Sequence, residues 1–174
     1  MKLTIQEIDA IAKGLTTEIV KQIKDPYAST IKSLITKCGK DEVIDLFIDG
    51  AANLQNKRAG IGGVMYRNGT ELYSFSEYLH DATNNEAEYQ ALIKGIQLAL
   101  ELKISSININ SDSELIVKQI KGEYRVKHPN MQPLYAQAID LLQKFSSWKI
   151  SHVRREKNTV ADKLSKDGLK SVEE

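Results

Sequence analysis

Four carboxylates stand where a carboxylate is expensive to leave alone: Asp49, Glu88, Asp112 and Asp162. Asp49 closes an apolar run (Val43, Ile44, Leu46, Phe47, Ile48) that reads as a buried β-strand. An ionised group there needs a turn, an ion-pair partner or a cation to offset its desolvation. Asp112 directly follows a second strand pattern, in INSDSEL. If the two strands are parallel neighbours, both acids emerge side by side beyond one end of a sheet, where sites in open α/β folds gather. Two carboxylates so close cannot both stay ionised without a cation. A cluster of acids presents hard oxygen donors, which suit Mg²⁺ or Mn²⁺.

Each acid also has a purely structural reading. Asp49-Gly50 can open a turn. Ser111 and Glu114 have capping-box spacing, and Asp112 would favour the N-terminus of that helix. Asp162 lies in the first turn of the closing helical pattern, where the helix dipole favours an acid. Glu88 is more telling. Thr83 and Glu86 already form a capping box, and Glu88 lies about 200° further round the helix. It shares a row with Leu92, Gly95 and Ala99, beside the expected buried face, where Gly95 would let another backbone come close.

The elements that must position these acids follow from periodicity. Residues 1–40 read as a helical hairpin: a Thr4/Glu7 capping box opens a 3.6-residue apolar pattern, Asp25-Pro26 interrupts it, and a second stripe ends at Gly39. From Val43 strands take over. The first spans 43–49, and AGIGGVMYR and TELYSFSEYL flank Asn68-Gly69, a strong hairpin signal. A helix over 84–102 follows, with apolar residues Tyr89, Leu92, Ile93, Ile96 and Leu100. Then come the strand SSININ, the helices SELIVKQI and MQPLYAQAIDLLQKF, the strand WKISHV and the helix NTVADKLSKDGL. The order βββαβααβα implies three antiparallel strands, then two joined by helical crossovers. That is an α/β fold with a five-stranded mixed sheet, and a domain boundary at 40/41.

Composition adds bounds. At 174 residues, 41% hydrophobic and 27% charged, the chain has room for one core and a small appendage. No apolar run approaches the roughly 20 residues of a membrane span, which argues against a membrane partner. The lone Cys38 cannot form an internal disulfide and reads as a buried, inert thiol. With acids early in MKLTIQEIDA, this argues for a reducing cytoplasm rather than secretion. The net charge is +1, but an acidic middle (41–102) lies between basic flanks, an arrangement that can set cations and a polyanion near carboxylates.

The segments FIDGAAN, AGIGGVMY, TNNEAEYQALIKGIQLAL, INSDSELIVKQIKGEY and HVRREKNTVADKLS resemble, in order and spacing, type 1 ribonuclease H. The resemblance covers residues 43–170. It is greatest to the bacterial and archaeal branch that has KGEYRVKHPNMQPLY after the third acid and lacks a basic protrusion. The resemblance implies a ribonuclease H-like fold and a metal-dependent endonuclease that hydrolyses the RNA strand of RNA/DNA hybrids, giving 5′-phosphate and 3′-hydroxyl ends. It implies that Asp49, Glu88, Asp112 and Asp162 bind two Mg²⁺ (or Mn²⁺) ions about 4 Å apart. His152, ten residues before Asp162, matches a mobile histidine that helps product and metal leave, and a histidine suits proton shuttling; its alternative is a histidine that merely ends a strand.

The same resemblance places the nucleic acid against Gly50, Ala51, Asn84, Asn85, Arg154, Arg155 and Asn158. The Asn84–Asn85 pair would meet the 2′-hydroxyls that separate RNA from DNA. Arg154, Arg155 and Lys157 would meet phosphates or form a solvated surface. Asn158 reads first as a helix N-cap. Two positions depart from the family pattern. The loop after Asp49 has LQNKR, with Gln55 for the usual asparagine, which reopens the choice between hybrid and double-stranded RNA. Glu114 stands where many members have glutamine. The runner-up reading is a nucleic-acid-binding module with little activity, against which all four acids argue. For residues 1–40, outside the resemblance, docking on the catalytic domain, self-association and nucleic-acid binding stay open.

Overall fold

In the computed structural model, residues 43–171 are described; the expected N-terminal hairpin and Cys38 lie outside them. Strand β1 (Ile44–Asn53) is central. It is followed by β2 (Arg58–Arg67), β3 (Thr70–His80), α1 (Asn84–Glu101), β4 (Ser106–Ser111), α2 (Glu114–Ile120), α3 (Met131–Leu142), β5 (Ser147–His152), a 3₁₀ turn (Arg155–Lys157) and α4 (Thr159–Lys170). The sheet order is β3-β2-β1-β4-β5. β1, β2 and β3 pair antiparallel, while β4 pairs parallel with both β1 and β5. This is the expected mixed sheet, with the expected element order.

Local chemistry accounts for the joints. Asn68 and Gly69 both take positive φ (50° and 77°), the backbone that matches the twist of a two-residue hairpin. The α1 capping box forms in full: Glu86 N–H donates to Thr83 Oγ1 (3.3 Å), and Thr83 N–H donates to Glu86 Oε2 (2.8 Å). Among the described residues, no helix is long and apolar enough to cross a membrane.

The two faces of the sheet are packed differently. On one, Ile44, Leu46 and Ile48 of β1 are buried, and α1 lies over β1 with Tyr89, Leu92, Ile93 and Ile96 in the same core. A Cβ at Gly95 would meet Leu46 Cδ2 at 2.8 Å and Ile48 Cγ2 at 3.3 Å, so this glycine admits strand side chains rather than a backbone. On the other face, α4 reaches backbone contact with the sheet. A Cβ at Gly62 would lie 2.3 Å from Ser165 N, and one at Gly168 would lie 2.5 Å from Glu77 O.

Three local expectations are revised. β1 does not end at Asp49 but runs to Asn53, because β2 stays paired with it through Asp49↔Gly62 to Asn53↔Arg58. The parallel partner stops earlier, at Ile48↔Ser111. Asp49 therefore marks the point where β1 parts from β4, not a turn. The Ser111/Glu114 capping box does not form, since Ser111 still belongs to β4 and its Oγ accepts from Ser113 N–H (3.0 Å); Glu114 instead pairs with Lys118 (2.7 Å). And Glu88 lies within the buried face of α1, not at its margin, for Ala87, Glu88, Tyr89, Ala91, Leu92, Gly95 and Ala99 are all buried.

The contact between α4 and β2 has a direct test. Gly62→Ala places a methyl group against the α4 backbone, which has no flexible end to give way. Overpacking of this kind typically costs about 1–3 kcal/mol, so urea unfolding of the variant should show a lower midpoint with an unchanged slope.

Candidate active site

Asp49 leaves β1 on the face opposite Gly50. Gly50 packs under α1, where an added Cβ would lie 2.3 Å from Ala87 C and from Glu88 N. This contact carries Glu88 to the strand, and the Gly50 N–H donates to the Glu88 carboxylate. Asp112 follows β4 directly. Asp49, Glu88 and Asp112 each offer a carboxylate oxygen, and these oxygens lie within 4.8 Å of one another. Asp49 and Glu88 are each only 6% exposed.

The electrostatics of the trio are unfavourable as they stand. Burial, reinforced by Asp49 and Asp112, pushes the Glu88 carboxyl up to about 9. Burial also lifts Asp49 to about 6, against a hydrogen bond from Ser165 and with repulsion from Asp112 and Asp162. Glu88 Oε2 is buried and has no hydrogen-bond partner. A buried carboxylate oxygen without a donor, beside two further acids, fits a divalent cation bound by hard oxygen ligands. The donor set suits such an ion, and these three residues would hold it.

Asp162 stands apart from the trio. Its Oδ1 accepts from Arg155 Nη2 and its Oδ2 from Lys166 Nζ, both at 2.6 Å. Burial works to raise its pKa, but the bonds from Lys166 and Arg155 outweigh it and hold the carboxyl below its usual range. His152 ends β5 and is exposed, with Nε2 3.2 Å from the Asp112 carbonyl oxygen. Arg154, Arg155 and Lys157 are exposed beside it, and Asn84 and Asn85 are exposed at the start of α1. Ala51 is half-buried and pairs with Gly60.

Asn158 is the largest departure from expectation. It occupies the N-cap position of α4 but makes no capping bond. Its Nδ2 donates instead to Ile48 O (2.9 Å) and to Asp112 Oδ1 (2.8 Å). It thus clamps the last β1 carbonyl before Asp49 to the third acid. Ser165, whose hydroxyl contacts Asp49 Oδ2, escaped sequence reasoning. The available signal was its place one helical turn after Asp162, on the same face.

Comparison with known proteins agrees with this fold. A family profile described as reverse transcriptase-like matches residues 47–168. Ribonuclease HI of Halobacterium salinarum is 32% identical over 162 residues, covering 92% of this chain and 80% of the relative. The chain belongs to the ribonuclease H family. The crystal structure of the Halobacterium salinarum ribonuclease H1 superposes with a TM-score of 0.70 at 31% identity, over 73% of this chain and 97% of that one. LC11-RNase H1, solved in complex with an RNA/DNA hybrid, gives 0.67 at 32% identity, over 72% and 96%. The bifunctional protein Rv2228c of Mycobacterium tuberculosis is 36% identical over 123 residues. The match covers 70% of this chain but only 34% of that relative, so the chain aligns with about a third of its length.

Protonation and stability are linked here through the two buried acids. Asp49 and Glu88 bind protons more tightly folded (about 6 and about 9) than at their usual values of 3.8 and 4.5. The folded state therefore holds more protons, and without a cation these two groups make stability fall as pH rises from about 4 to about 9. Thermal melts in chelator should show this decline, and the gain in melting temperature on adding Mg²⁺ should grow with pH. Glu88→Gln should raise the melting temperature in chelator at pH 8. A Mg²⁺ gain that is flat with pH would contradict the assignment.

Proposed function

We propose that this chain is a metal-dependent endoribonuclease that hydrolyses the RNA strand of RNA/DNA hybrids. The observation that carries the reading is the trio of buried Asp49 and Glu88 with half-buried Asp112, and the unpartnered Glu88 Oε2. Family membership and the hybrid-bound LC11-RNase H1 support it. A binding-only module gains nothing from crowding three mutually repelling acids, two of them buried, since binding to a polyanion is weakened by them.

In this reading Asp49, Glu88, Asp112 and Asp162 hold two divalent ions, Mg²⁺ or Mn²⁺. Bound there, the ions supply charge neutralisation of the scissile phosphate and lower the pKa of an attacking water. The chain's own groups do the positioning. Asn158 fixes Asp112 through its Nδ2, and Gly50 N–H fixes one oxygen of Glu88. Asp162 joins the trio when Arg155 and Lys166 release it. Their side chains are 68% and 51% exposed, against 17% for Asp162, so solvent is at hand for both cations when they leave the carboxylate. Arg155, once released, and Arg154 stand at the rim as phosphate contacts. The exposed Asn84 and Asn85 offer amides to the 2′-hydroxyls, with the Gly50–Ala51 backbone close by. His152, exposed and next to Asp112, suits transfer of a proton to the departing 3′-oxygen. The products carry a 5′-phosphate and a 3′-hydroxyl.

The test is cleavage of an end-labelled RNA/DNA hybrid with Mg²⁺ or chelator, beside double-stranded RNA of the same sequence. Metal-dependent cutting of the RNA strand of the hybrid is expected. Asp49→Asn should reduce it by more than the roughly 10–100-fold typical of residues that only support a metal ligand. Tight hybrid binding with no cutting by the unaltered protein would favour a binding module instead. Equal cutting of double-stranded RNA would widen the substrate class.

A further inference from the structure

Ser165 is fully buried on the sheet-facing side of α4, three residues after Asp162. Its hydroxyl meets two acceptors: Asp49 Oδ2 and the backbone carbonyl oxygen of Asp162, 2.9 Å away. A helical serine that bonds back to the preceding turn is ordinary and slightly unfavourable. A serine that also reaches a buried carboxylate on another element is not. Burying a hydroxyl costs free energy unless it is hydrogen-bonded, and here both acceptors lie within reach.

The surrounding backbone is arranged around this contact. Gly62 is the antiparallel partner of Asp49, and a side chain at Gly62 would collide with the backbone nitrogen of Ser165. The lack of a side chain beside Asp49 is therefore what lets α4 bring Ser165 within reach. Asp162 presents its backbone to this contact while Arg155 and Lys166 occupy its carboxylate. The serine bond can thus persist when those cations exchange.

We propose that Ser165 is a positioning residue: its hydroxyl sets the rotation of the Asp49 carboxylate and ties it to the helical turn that carries Asp162. Oδ2 of Asp49 is held against α4, which fixes how the carboxylate is presented to Glu88 and Asp112. The acid on the sheet and the acid on the last helix are then held as one unit for a divalent cation. The inference rests on the metal-binding reading of the site.

The experiment is a titration of the full chain with Mn²⁺ without nucleic acid, free ion being read by electron paramagnetic resonance. Melting in chelator checks that each variant folds. Ser165→Ala should bind Mn²⁺ roughly tenfold more weakly, the lower end of what supporting partners of metal ligands contribute. Ser165→Cys, which keeps the bulk but donates weakly, should match it. In an Asp49→Asn background, removal of the hydroxyl should change the residual affinity by less than about twofold, because the carboxylate it orients is gone. Wild-type affinity in Ser165→Ala would overturn the inference and leave the metal site standing. An equal loss in both backgrounds would also overturn it, since it would show a general packing role. No Mn²⁺ binding by the unaltered chain would remove the metal site itself.

Discussion

Three carboxylates brought within 4.8 Å of one another, two of them almost entirely out of water, repel, and the rest of the structure is organised to keep them there. Desolvation first, and repulsion with it, favour the neutral acids and push the Glu88 and Asp49 carboxyls up. A flexible scaffold would relieve this by letting the side chains part. Here each acid is anchored on a different rigid element. Asp49 sits in a strand paired with β2, Glu88 in a helix pressed onto Gly50, and Asp112 where β4 ends under the clamp of Asn158.

The anchoring depends on close backbone approach. At Gly50 the strand meets α1, and at Gly62 and Gly168 it is α4 that meets the sheet. Side chains at these points would collide with backbone and force the layers apart, and the acids with them. The two helices thus converge on Asp49 from opposite faces, α1 bringing Glu88 and α4 bringing Ser165. The fourth acid belongs to the same helix, but its carboxylate is occupied by Arg155 and Lys166. The charge is divided accordingly: three acids crowd one another, and the fourth is kept ionised by two cationic side chains.

Much of this was legible beforehand, for identifiable reasons. Strong periodicity placed all five strands and four helices from Val43 onward, and the Thr83/Glu86 box located the start of α1 to the residue. The family resemblance picked out the acids and was confirmed by the relatives and the fold. The misread points share a cause. Asp49-Gly50 has the composition of a turn, yet a ladder to β2 overrides it. Ser111–Glu114 has the spacing of a cap, yet Ser111 is held in β4 by pairing with Ile48. Asn158 is a favoured capping type at a capping position, yet its amide finds a carbonyl and a carboxylate across the fold.

The sequence by itself determined the element order, the hairpin and helix starts, and which residue types were available for metal chemistry, because these follow from local dihedral preference and from periodicities of two and 3.6. Only the tertiary structure decided which three acids gather, which one is paired away, and which neutral side chains hold them. Those outcomes depend on contacts between residues more than 40 apart, such as Asn158 with Asp112 and Ser165 with Asp49. Their partners are chosen by layer spacing and strand register, and no local pattern encodes either one.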